Sequence, residues 1–144
     1  MAESEVKTTT EKACSLLAGD ISSTYGDFSI FTGVNNMEKE APCVICWAEN
    51  ATEDFPFSAI WHVRTHIIVK EMAMATSSLD SVNSLYGDVY SKFLTGSIET
   101  DLTSKVTASY YVYQVLFDGS NSTTEGDAWV NEITLDIVST TKAT

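Results

Sequence analysis

Arginine is almost missing from this 144-residue chain. Arg64 is its only one, and eight basic residues in all stand against twenty acidic ones, a formal charge of -12. Nucleic-acid affinity rests on clustered Lys and Arg that displace counterions from phosphates, so a body this acidic repels DNA and anionic membrane surfaces alike. Long apolar runs are also lacking. No stretch approaches the ~18 residues of a membrane span. The opening MAESEVKTTTEK has neither the basic start nor the apolar run of a secretory signal, so a cytosol-like compartment is expected. Cysteine is scarce and odd in number: Cys14, Cys43 and Cys46 make a disulfide framework an unexpected arrangement in such a chain. Without a secretory route, Asn50-Ala51-Thr52 and Asn121-Ser122-Thr123 read as polar loop residues rather than glycan acceptors. The seven glycines are dispersed and form no phosphate-cradling loop, and no Gly-x-Ser-x-Gly elbow is present.

What is present is the composition of a folded chain, 44% hydrophobic and 10% aromatic. The length suits one domain, 1–144, burying roughly 68% of its unfolded surface. Val6, Thr10, Ala13, Cys14 and Leu17 recur at spacings of three and four and predict a helix within residues 1–19, ended by Gly19. Residues 20–41 are rich in Ser, Gly, Asn and acids and predict an irregular segment holding at most one short strand.

The core is expected in residues 42–139. CVICWAEN predicts a strand at 43–49, ENATEDFPF an acidic turn, and SAIWHVRTHIIVKEM a long strand at 58–72. The long strand's Trp61, Val63, Thr65, Ile67 and Val69 form the core face, against His62, Arg64, His66, Ile68 and Lys70. Ser77 or Ser78, with Asp80, caps a helix carried by Leu79, Val82, Tyr86, Val89 and Phe93 up to Gly96. Ile98 and Leu102 suggest a further helical turn. Strands follow at 109–117 and 127–138, the second with Trp129, Ile133, Leu135 and Ile137 inward, and DGSNSTTEG is read as the loop between them. The expected class is α+β: a mainly antiparallel sheet of two hairpins with helices on one face.

Cys43-x2-Cys46 followed by His62-x3-His66 has a spacing often read as tetrahedral zinc. A small zinc or redox protein is therefore the rival reading. Both pairs fall in strand sequence, however. Cys43 and Cys46 would then point to opposite faces, and His62 and His66 would stand ~13 Å apart, too far for shared ligation. A redox pair would start a helix, which these flanks do not allow. Glu53 with Asp54, and Glu99 with Asp101, are carboxylate pairs expected in polar loops, where nothing nearby would desolvate them. Tyr110, Tyr111, Tyr113 and Phe117 lack the basic neighbours of a base-stacking platform and read as sheet packing or an oligomer contact. The balance of these features is a non-enzymatic assembly component that needs no cofactor.

PCVICWAEN, FPFSAIWHVRTHIIVKEM, SLDSVNSLYGDVYSKFL, YVYQVLFDG and GDAWVNEITLDIV, together about two thirds of the chain, resemble the tail terminator (tail completion) and neck proteins of long-tailed bacteriophages. The resemblance implies a structural virion protein: a homo-oligomeric ring, expected to be a hexamer, at the head-proximal end of the tail tube. Such a ring stops polymerisation of the tube protein and joins the tail to the head–tail connector. Other neck subunits share the pattern. Assembly in the host cytoplasm, no membrane, and DNA that passes through the channel without specific binding follow from the same resemblance. Expected interface residues are Glu49, Glu53, Asp54, Asp118, Glu125 and Asp127 as rim or lumen charge, with Phe55 and Phe57 as contact anchors.

Overall fold

The computed structural model describes residues 3–21, 28–72, 84–106, 110–126 and 128–141. In chain order these form α1 (Glu3–Ala18), β1 (Ser29–Thr32), a 3-10 turn (Val34–Asn36), β2 (Cys43–Ala48) and β3 (Thr52–Glu53). They continue with β4 (Ile60–Met72), α2 (Ser84–Phe93), α3 (Ile98–Thr103), β5 (Tyr110–Glu125) and β6 (Ala128–Thr141). The six strands make one sheet in the order β1-β2-β4-β6-β5, with β3 also on β4. Every pairing is antiparallel except β1 with β2. This is an α+β fold.

Two hairpins build it, joined along their long strands. In the first, β2 pairs with β4 from Cys43↔Lys70 to Ala48↔Thr65, and after Glu49–Ala51 loops out β3 resumes at Thr52↔His62. In the second, β5 pairs with β6, and β4 with β6 closes the centre over thirteen residue pairs. β1 lies inside the segment expected to be irregular, and its short parallel pairing extends the sheet by one edge strand.

One face of the sheet takes the helices. Ala13, Cys14 and Leu17 of α1, Leu85, Val89 and Phe93 of α2, and Ile98 and Leu102 of α3 pack on Val44, Cys46, Ile67, Val69, Ile133, Leu135 and Ile137. These strand residues alternate in sequence, so a period of two on the strands meets a period near 3.6 on the helices and the apolar stripe of each is buried. Two buried carboxylates tie helix to sheet. Glu11 of α1 accepts the N–H of Ala48 at 2.8 Å, and Glu71 of β4 accepts the N–H groups of Leu85 and Tyr86 at the start of α2, at 2.7 and 3.3 Å. Burial pushes the Glu71 carboxyl above its ordinary value, an effect its two backbone donors and the nearby Asp88 only modify.

Three expectations need revision. The loop assigned to DGSNSTTEG is strand as far as Glu125, turning at Gly126, whose φ of 58° suits glycine. The Ser and Thr side chains there bury little, as in a loop, yet their backbone completes the ladder with β6. The acidic turn contains β3, and Glu99 and Asp101 lie in the first turn of α3 rather than in a loop. Glu99 accepts the N–H of Val115, and Asp101 the hydroxyl of Ser97. The cap assigned to Ser77, Ser78 and Asp80, with Leu79 and Val82, lies outside the described residues.

Candidate functional site

The face away from the helices is half closed and half open. At one end Cys43, Ile45 and Ile68 are buried under Phe31, Met37, Trp47 and Val130, a small second core that the β1 segment covers. Lys70 holds this end together: its ammonium donates to the carbonyl of Met37 at 2.7 Å and pairs with Glu125 across the sheet at 3.2 Å. At the other end the same alternation places His62, Arg64 and His66 in a row, and none of the described helices packs over them.

Each of these basic side chains sits between carboxylates brought from other segments. His66 faces Glu132 through Nδ1 at 2.9 Å and Glu49 through Nε2 at 2.7 Å, with its ring stacked on Trp47 at 4.1 Å between centroids. His62 faces Asp136 at 3.0 Å and Asp54 at 3.4 Å. Arg64 bridges Glu49 through Nε and Asp118 through Nη1, both at 3.3 Å. Register explains the pattern for the histidines: Thr134 lies opposite His66 and Val138 opposite His62, so Glu132 and Asp136 each stand one diagonal step away on β6, whereas Arg64 draws its partners from the loop after β2 and from β5. Glu49 reaches in because the loop between β2 and β3 turns it over the sheet.

His62 and Arg64, with Asp136, floor a groove of about 620 Å³. Glu49, Asn50 and Thr52 form one wall, and Leu116, Phe117 and Asp118 of β5 form the other. Bulges at Tyr113 and Asp118 let β5 twist, and Tyr111, Tyr113, Leu116 and Phe117 all stand exposed along this edge strand. Beyond the groove, β3 and β4 meet in a tight tip at 54–59. Asp54 donates to the carbonyl of Ile60 at 2.9 Å and Ser58 to that of Phe55 at 3.0 Å, while the Ser58 hydroxyl accepts the N–H of Ile60. The tip carries Phe55, 59% exposed, and Phe57, 99% exposed. Phe57 and Ala59 both have positive φ, 64° and 59°, a conformation that costs a non-glycine residue about 1 kcal/mol or more. The hydrogen bonds of the tip hold them there.

The expected interface residues therefore part company. Glu49 and Asp118 meet on Arg64, Asp54 joins His62, and Glu53 accepts the N–H of Ala59 inside the tip. Glu49, Asp54 and Asp118 are thus each beside a basic residue of β4. Glu125 is remote from them, on Lys70 at the other end. Phe55 and Phe57 stand exposed as anchors would. Asp127 lies outside the described residues, as does the side chain of Tyr110. The residues that sequence reasoning passed over are Glu132 and Asp136; their only signal was alternation with Ile133, Leu135 and Ile137.

The four residues of the zinc-like spacing do not converge. Cys46 lies in the helix-side core, Cys43 in the small core opposite, and His62 and His66 are engaged with carboxylates. Burial raises the Cys46 thiol to about 12 and the Cys43 thiol to about 11, disfavouring the thiolates that a metal needs. Among the described residues no group of three or more His, Cys, Asp or Glu is placed to hold a metal ion. None of their helices is long and apolar enough to cross a membrane. Neither the known protein-family models nor the curated proteins contain a match to this chain.

Proposed function

We propose that this chain is a structural subunit of the bacteriophage tail terminator, assembling into a ring, with six copies expected, at the head-proximal end of the tail tube. The ring stops addition of tube protein and presents a surface to the connector. The single observation that carries the reading is the tip: a strained, hydrogen-bonded turn that keeps Phe57 wholly in solvent. An aromatic side chain held out in this way is an anchor for another protein, since a handful of buried aromatics dominates interface energy. A second and different apolar surface on β5 supports a ring, because head-to-tail closure requires two unlike patches on one subunit. The resemblance across residues 42–139 supplies the identity of the assembly. The charge of -12, repeated around an axis, supports a channel to which DNA does not adhere.

The test is mass and capping. Light scattering on the purified chain is expected to give one closed oligomer, six subunits on this reading. Adding that oligomer to polymerising tube protein is expected to shorten the tubes, with the protein seen at one end in negative stain. A chain that stays monomeric at tens of micromolar and leaves tube length unchanged overturns the reading.

A further inference from the structure

The tip and the groove are unlike surfaces on one subunit, and their chemistry matches. We infer that they meet: the Phe55–Phe57 tip of one copy seats in the groove of the next, against Leu116 and Phe117 and over the guanidinium of Arg64. This rests on the ring reading above and adds to it the contact that closes the ring.

Three observations select a second copy as the occupant. The first is area. Phe55 and Phe57 are 59% and 99% exposed, Leu116 and Phe117 45% and 51%, so joining them removes on the order of 500 Å² of apolar surface at ~200 Å² per side chain. That is roughly half of the apolar area in a standard stable interface. The second is the guanidinium on the groove floor, which belongs to the only arginine of the chain. Glu49 and Asp118 fix Arg64 from its edges, at Nε and Nη1, which leaves the planar face available to an aromatic ring. The third is geometry within the subunit. The tip does not line its own groove, and Phe57 touches essentially nothing, so the contact is available only between copies. Preorganisation of both parts lowers the ordering cost of binding, because the tip is fixed by its own hydrogen bonds and the floor by ion pairs.

The experiment uses two double variants of the full chain, one of the tip (Phe55→Ser with Phe57→Ser) and one of the wall (Leu116→Ser with Phe117→Ser), measured by light scattering and native mass spectrometry. Each alone is expected to self-associate at least ~100-fold more weakly than the unaltered chain and to run as a monomer. Mixed, they retain one intact tip and one intact groove between them, so they are expected to form a two-subunit complex and nothing larger. Unchanged rings from the tip variant overturn the inference, leave the ring reading standing and assign the tip to a different partner. Monomeric variants that fail to pair when mixed also overturn it. A monomeric unaltered chain instead removes the ring reading itself. Should the wall variant not fold, Phe57→benzoylphenylalanine in the otherwise unaltered chain keeps the inference testable. Photocrosslinks are expected in the peptide that contains Leu116 and Phe117 of a neighbouring copy, and crosslinks confined to another segment overturn it.

Discussion

β4 shows two kinds of protein surface on one strand. Toward the helices it places Val63, Thr65, Ile67 and Val69, all buried, and toward the open side His62, Arg64 and His66, each between carboxylates. The first face is held by area: apolar side chains removed from water contribute ~25 cal/mol per Å², and little depends on the exact partner. The second is held by pairing between polar groups, most of them partly exposed, which contributes little to stability where water reaches and depends on who stands opposite. The helix-covered face therefore makes the fold, and the open face makes a shaped surface of paired acidic and basic side chains.

That contrast is open to direct attack. The largest effect belongs to the covered face: Phe93→Ala, at a fully buried position among all three helices, is expected to lose about 3–5 kcal/mol in urea unfolding. A loss below 1 kcal/mol would show that this core is not the stabilising layer. Next come the two thiols of β2, which sample the two faces from one strand. With their pKa values raised to about 11 for Cys43 and about 12 for Cys46, labelling at pH 8 is expected to be suppressed roughly a hundredfold and a thousandfold against the unfolded chain. Mass spectrometry of alkylated peptides should find Cys43 modified before Cys46; the reverse order would contradict the assignment of faces.

The same thiols set the sign of an alkaline dependence. Their native pKa values lie above the unfolded ones, so the native state holds protons that the unfolded state gives up. Their contribution is complete below about pH 9 and is lost as pH climbs through about 11 to 12. Unfolding at pH 7, 9 and 10.5 should show a progressive fall that Cys43→Ala with Cys46→Ala makes shallower.

A smaller effect tests the join between helix and sheet. Glu11→Ala leaves the buried N–H of Ala48 without its acceptor, and a loss of about 1–3 kcal/mol is expected. Smallest of all is the open face. Arg64→Gln removes the contacts to Glu49 and Asp118, but the groups are about half exposed, so stability should move by no more than about 1 kcal/mol. If Arg64→Gln costs as much as Phe93→Ala, the distinction between the two faces collapses.

Much of this architecture is written locally. Thr10, Ala13, Cys14 and Leu17 announce α1 through spacing alone, and all four are buried on its inner side. The alternation from Trp61 to Lys70 separates the two faces of β4 before any partner is known. Periodicity of this kind is legible because each residue's direction follows from the geometry of its own element. The reach of β5 to Glu125 was not legible, since Ser120 to Thr124 offer no apolar pattern and become strand only through the backbone bonds of β6.

The basic row of β4 was legible in part. His62, Arg64 and His66 could be placed on one face, but their partners could not be named. Glu49 lies 15 positions before Arg64 and Asp118 lies 54 after it, and what joins them is the register of β4 with β6 and of β6 with β5, together with the loop after β2. Likewise the sequence offered Phe55 and Phe57 as apolar residues in an acidic turn, and only the folded tip made one of them fully exposed. By itself, then, the sequence determined which residues hide from water within each element, because that preference is carried by single side chains and their spacing. Tertiary structure alone decided which charges meet and which aromatics are left out, because both are relations between segments that are distant along the chain.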